Sequence, residues 1–335
     1  MRLAVLGAGA WGTALAIAWG QHHDVALWSR EADLAAAIAQ SRCNERYLAG
    51  PILPPRVTVT ADWPSAVAGA EWVVIATPLA GLAEQVAALA RHYPTTPFLW
   101  ACKGILPETQ ELAHEIAERV WCETTDHPMP AHGVLSGPSF ALEVAQGLPT
   151  AIVVAARERA WAKAAVTALH QPRFRLYAHD DVTGVEVGGA VKNIIAIAAG
   201  VAEGLGFGLN TRAALITRGL AEMTRLAQAL GARRETLMGL AGMGDLILTC
   251  TGGLSRNRKL GMLLANGQPL DRALATLGHV AEGVPTTAAC VALAKSLGIE
   301  MPIAGAVHAL LFDPAARPEA IVEQLLARDP KFEFC

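Results

Sequence analysis

Three features of this 335-residue chain predict an α/β N-terminal domain followed by an all-α C-terminal domain. A glycine-rich turn joins a short apolar strand to an uncharged helix within the first twenty residues. Continuous apolar runs recur as far as about residue 179. Beyond Asp180 they give way to Ala- and Leu-rich helical patterns. Apolar runs of that kind are strands buried on both faces, as in a parallel sheet covered by helices. A chain this long exceeds what one core organises, so the expected domains are residues 1–179 and 180–335.

The first strand, Arg2 to Leu6, runs into Gly7-Ala8-Gly9-Ala10-Trp11-Gly12, and a helix follows from Thr13 to Trp19. In a Rossmann domain such a turn binds a dinucleotide. Gly7 allows the sharp turn, Gly9 leaves bare backbone for a pyrophosphate, and Gly12 lets helix and strand approach. The helix start offers unpaired N–H groups to the phosphates. Nothing between Leu3 and His23 carries a formal charge, so a signal peptide or membrane span competes for the same stretch. The second strand, Asp24 to Trp28, follows at once and favours a βαβ unit.

Where such sheets usually hold an acid for the ribose 2'-hydroxyl, this chain has Trp28-Ser29-Arg30. An acid would repel a 2'-phosphate, whereas Arg30 and Ser29 can hold one, so NADP is accepted as well as NAD. Arg30 could instead be a solvated residue opening the next helix. Further strands are expected at Trp72 to Ala76, Phe98 to Cys102, Gly133 to Leu135, Thr150 to Ala155 and Arg173 to Tyr177. Two of them deliver Lys103-Gly104 and Ser136-Gly137-Pro138-Ser139 to the carboxyl edge of the sheet, where ligands gather.

In the helical half, Lys192 is a single lysine in an apolar helix, preceded by Gly188-Gly189 and followed by Asn193. A buried lysine is rare unless paired or functional, because desolvation disfavours its charged form; the alternative is a side chain snorkelling to water. Gly242-Met243-Gly244-Asp245 reads as a glycine turn ahead of an acid. Ser255-Arg256-Asn257-Arg258-Lys259 opens a helix with Ser255 as N-cap, and its cations oppose the helix dipole unless an anion binds there.

Net charge is −3 and the hydrophobic share 53%. That balance argues against nucleic acid and polybasic membrane surfaces as partners and suits a large core without stable membrane insertion. Six scattered cysteines without a CxxC pair suit a reducing cytoplasm. The histidines, His22, His23 and His114 among them, form no ligand spacing, so no metal site is expected, and they read as surface or loop residues.

Taken in order, GAGAWGTALA, WACKG (100–104), LSGPSFA (135–141), GGAVKN (188–193), GMGD with LTCT (242–251) and SRN (255–257) resemble the bacterial NAD(P)-dependent glycerol-3-phosphate dehydrogenases over nearly the whole length. The resemblance implies reversible reduction of dihydroxyacetone phosphate to sn-glycerol 3-phosphate, a phospholipid precursor, in the cytoplasm. It also implies Lys192 as proton donor and acceptor with Lys103 and Asp245 beside it. Gly137, Ser139, Ser255, Arg256 and Asn257 would hold the substrate, the last two by its phosphate. Gly7, Gly9, Ala10, Trp11, Gly12, Arg30, Lys103, Ala141, Arg256, Val280 and Glu282 would contact the cofactor. Ala10 and Trp11 depart mildly from the family's usual serine and other aromatic, which leaves backbone contacts intact. A neighbouring reductase of 2-keto or 3-hydroxy acids, with Arg256 on a carboxylate, is the second enzymatic reading. An NADP-binding redox sensor is a third, which would need neither Lys192, Asp245 nor the SRN cluster. The sequence does not fix the oligomeric state; a homodimer is one assembly it allows.

Overall fold

A computed structural model describes residues 1–278 and 281–326. The chain divides into two compact units. The first comprises Met1–Lys103, Glu111–Glu186 and Gly239–Ala241; the second comprises Gly104–Gln110, Val187–Met238 and the described residues from Gly242 on.

The first unit is built on ten strands: β1 (Arg2–Leu6), β2 (Asp24–Trp28), β3 (Cys43–Asn44), β4 (Leu48–Ile52), β5 (Val57–Thr60), β6 (Trp72–Ile75), β7 (Phe98–Trp100), β8 (His132–Ser136), β9 (Thr150–Ala155) and β10 (Phe174–His179). Eight of them form one sheet in the order β10-β9-β8-β7-β6-β1-β2-β5. All neighbours are parallel except β8 and β9. Strand order reverses between β1 and β6, the switch point at which doubly wound sheets open a crevice at their carboxyl ends. The Ala10–Trp19 helix is buried continuously from Gly12 to Trp19. It is apolar all round because the core surrounds it, which explains the uncharged stretch without a membrane. Trp19 stacks edge-on against Phe174 at 6.0 Å between ring centres.

Two elements escape a search for continuous apolar runs. β5 extends the sheet beside β2 with the alternating Val-Thr-Val-Thr of a half-exposed strand. β3 and β4 form a separate antiparallel hairpin.

His114 is a correction to the sequence reading. It is buried, with Nδ1 2.5 Å from a carboxylate oxygen of Glu186, whose other oxygen accepts the Trp100 indole N–H at 2.7 Å. An interior carboxylate needs such donors. Burial pushes the His114 pKa down, but the hydrogen bond to Glu186 and its charge outweigh that and raise it above 6.5. The pair's stabilisation is therefore complete below the ordinary value and lost as pH rises through the raised one. His114→Gln is expected to abolish that component of the decline in thermal stability above pH 6.5, read by melting curves across pH.

The second unit is helical among the described residues. Its central helix, Val182–Gly204, begins in the first unit by five residues and is long and apolar enough to cross a membrane, yet 94% of its most apolar window is buried inside the protein. It is a core helix. The glycine-rich stretch before Asp245 is also helical: Leu240–Gly244 forms a π-turn that passes directly into the Asp245–Thr251 helix, where a turn was expected. Gly242 permits it, since a methyl group there would overlap the Leu237 carbonyl.

Candidate active site

The first unit carries the dinucleotide-binding turn. Gly7 has φ +120°, and a Cβ on it would lie 2.8 Å from the Ala76 carbonyl carbon. A Cβ on Gly12 would overlap the Gly7 carbonyl oxygen, while one on Gly9 would meet nothing within 4 Å. Gly7 and Gly12 thus serve close packing, and Gly9 faces open space. Gly9 is the N-cap of the Ala10–Trp19 helix and supplies no side chain to its orphan N–H groups, nor is there an acid in the first turn. A pyrophosphate fits such a terminus in charge and in donor supply. Ala10 and Trp11 open the helix and are half-buried.

At the end of β2 the exposed Arg30 follows Ser29, whose buried hydroxyl accepts the Glu31 amide hydrogen at 3.2 Å. Glu31 pairs with Arg46 at 2.5 Å. Glu31, the acid next to Arg30 in sequence, is thus held by a cation of its own.

The carboxyl ends of β7 and β8 bring Lys103, Gly137 and Ser139 together. The Gly137 carbonyl accepts the Ser139 hydroxyl at 3.0 Å and lies 3.5 Å from the Lys103 ammonium. Gly137 adopts φ +138°, which L side chains rarely do. Ala141 starts a five-residue helix just beyond and packs at the edge of the core.

The second unit holds the other predicted residues. Lys192 is buried and ion-paired with the carboxylate of Asp245, itself 1% exposed. The Thr249 hydroxyl, one helical turn on, lies 2.6 Å from the Asp245 carbonyl and 3.4 Å from its carboxylate. A buried ion pair is stable only if its remaining valences are met, and loss of either partner leaves an uncompensated charge. Ser255 is the N-cap of the Arg256–Ala265 helix, its hydroxyl accepting the Arg258 amide hydrogen at 3.2 Å, and Arg256 is exposed at the first helical position. Asn257 is buried; its amide donates to Asn193 Oδ1 at 2.9 Å and its own Oδ1 accepts the Gly283 amide hydrogen at 3.1 Å. The Asn193 side-chain nitrogen is buried without a hydrogen-bond partner, a donor left over beside Lys192 in sequence. Glu282 is half-buried and caps the Gly283–Ser296 helix, while Val280 lies outside the described residues. No cluster of metal-ligating side chains occurs among the described residues.

Thr249 and the role of Asn193 as a hydrogen-bond partner were not singled out from sequence. The signal was present for both: Thr249 stands at i+4 from Asp245, and Asn193 follows the lone lysine.

Fold and site define a two-part chain of the dinucleotide-binding class, a Rossmann unit with a helical unit that carries a buried lysine–aspartate pair. Two family models match, the NAD-dependent glycerol-3-phosphate dehydrogenase N-terminus over residues 2–162 and the corresponding C-terminus over residues 181–323. The chain is 55% identical over 334 residues to the glycerol-3-phosphate dehydrogenase [NAD(P)+] of Aromatoleum aromaticum, covering 99% of this chain and 100% of that one. It is 54% identical over 334 residues to that of Dechloromonas aromatica, covering 100% of both. The crystal structure of glycerol-3-phosphate dehydrogenase from Coxiella burnetii superimposes with a TM-score of 0.92 at 39% identity, covering 98% of this chain and 99% of that one. The chain belongs to the NAD-dependent glycerol-3-phosphate dehydrogenase family.

Proposed function

We propose that the protein reduces dihydroxyacetone phosphate reversibly to sn-glycerol 3-phosphate with NADH or NADPH, in the cytoplasm, as a supply for glycerophospholipid synthesis. Residues 1–179 act as the cofactor domain and residues 180–335 as the substrate domain. The observation that carries this reading is the buried Lys192–Asp245 pair in a chain of this family.

A reduced nicotinamide held at the Gly7–Gly12 turn would supply the hydride for the central carbonyl carbon. Negative charge then develops on the substrate oxygen, and Lys192 donates a proton to it; Asp245 holds the ammonium in place and Thr249 orients Asp245. Lys103 gives a second cation for the substrate, with Gly137 and Ser139 lining it. Arg256 meets the phosphate in the forked geometry that suits it, supported by Ser255 and Asn257. The turn from Gly7 to Gly12, including the amides of Ala10 and Trp11, holds the pyrophosphate, and Arg30 reaches a 2'-phosphate. Ala141, Val280 and Glu282 complete the cofactor's surroundings. A homodimer is the assembly proposed, to be read by sedimentation.

The direct test follows NADH and NADPH oxidation by purified protein on addition of dihydroxyacetone phosphate; no oxidation with either cofactor would overturn the reading. Arg30→Asp is expected to raise KM for NADPH at least tenfold more than for NADH, since a charged contact of roughly 1.5–3 kcal/mol becomes a repulsion. Equal losses would show that Arg30 does not meet the 2'-phosphate.

A further inference from the structure

The dinucleotide-binding turn is rich in glycine, and glycine is conformationally permissive. Something must hold its peptide planes in the orientation that phosphates require. One such hold is a side chain from outside the turn. Asn44, on the β3–β4 hairpin, is completely buried. Its side-chain amide nitrogen donates to the carbonyl oxygen of Ala8 at 2.9 Å and to the Thr13 hydroxyl at 2.8 Å, and its Oδ1 accepts the Tyr47 amide hydrogen at 3.1 Å. Both donors of the amide are used, one on the turn and one on the first turn of the helix that follows.

A trans peptide is planar, with its C=O and N–H pointing in opposite directions. Fixing the Ala8 carbonyl toward Asn44 therefore fixes the Gly9 N–H away from it. Gly9 is the glycine whose side-chain position is open space. Asn44 is in turn held without help from any ligand. Arg42, in left-handed conformation at φ 59°, ties the base of the hairpin by donating to the carbonyls of Val57 at 2.8 Å and Pro54 at 2.5 Å.

We propose that Asn44 is a positioning residue for the cofactor: through Ala8 it orients the Gly9 N–H at the pyrophosphate before the cofactor arrives. This rests on the dinucleotide reading given above. A preset donor gains affinity because its ordering cost is met on folding and not on binding. The effect falls on the pyrophosphate, which NADH, NADPH and ADP-ribose share, so it differs in kind from that of Arg30.

The test measures dissociation constants of the free protein for NADH, NADPH and ADP-ribose by fluorescence or calorimetric titration, in wild type, Asn44→Ala and Asn44→Asp. The Asp variant keeps the Tyr47 contact but removes both donors. All three ligands are expected to lose about tenfold, the worth of one hydrogen bond to a charged group. KM for dihydroxyacetone phosphate at saturating cofactor is expected to stay within twofold. Thr13→Val, which leaves the Ala8 bond in place, should lose no more than about threefold. Melting temperatures with and without ligand, each variant against its own ligand-free value, separate binding from fold. Unchanged dissociation constants in folded variants overturn the proposal, as does failure of both Asn44 variants to fold with cofactor present, which would make Asn44 a residue of the fold alone. Failure of the wild-type protein to bind any of the three ligands would instead overturn the cofactor reading itself.

Discussion

Lys192→Met is expected to lower kcat by about 10²- to 10⁴-fold, the usual share of one general acid or base, while the dissociation constant for NADH changes less than threefold. Methionine fills the space of the lysine stem but leaves Asp245 buried without its cation. Breaking such a pair costs about 3–5 kcal/mol of stability. The comparison is therefore made well below the variant's melting temperature, and NADH titration reports whether the first unit remains intact. Lys192→Met/Asp245→Asn should recover part of the stability and none of the turnover. That split separates a chemical role from a structural one. Lys103→Met should damage the KM for dihydroxyacetone phosphate as well as the rate. Normal turnover in the Lys192 variant would transfer the proton to Lys103.

Arg256→Ala is expected to lower kcat/KM for dihydroxyacetone phosphate by roughly 10- to 1000-fold, from charge-assisted bonds worth a few kcal/mol. Unphosphorylated dihydroxyacetone never makes those bonds, so its already poor turnover should change less than twofold. Arg256 is exposed and takes no part in the capping bond, which runs from the Arg258 amide to Ser255, so its truncation should leave the helix in place. Equal losses for both substrates would place Arg256 on the cofactor or the fold and return the phosphate site to Lys103 and Asn257.

The fold was legible wherever burial wrote itself as an uninterrupted run. β1, β2, β6, β7 and β9 are such runs because helices cover both faces of the sheet. β5 alternates because it lies at the edge, and β3 is two residues long; neither offers a period long enough to detect. The π-turn before Asp245 hid behind its glycines, which serve close approach there and not a reversal. The arrangement of the candidate site was partly legible. A lone lysine in an apolar helix advertises itself, but its partner Asp245 lies 53 positions away, and no spacing rule connects them. His114 misled for the converse reason: its counter-charge, Glu186, sits in another element. Asn44 is the extreme case, since its importance lies in a carbonyl that any residue at position 8 would carry.

The helix bearing Lys192 and the helix bearing Arg256 touch backbone to backbone. A methyl group on Gly200 would overlap the Arg258 carbonyl, and one on Gly261 would overlap the Ile197 carbonyl. At these two points no side chain stands between the backbones to be trimmed or enlarged, so natural variation has few small steps there by which to slide one helix along the other. The proposed proton donor and the proposed anion site, one on each helix, are thereby kept at one separation through sequence drift. A lineage evolving toward a longer or shorter phosphorylated ketone would have to move the cation along its own helix or lengthen its side chain; the crossing itself is closed to gradual change.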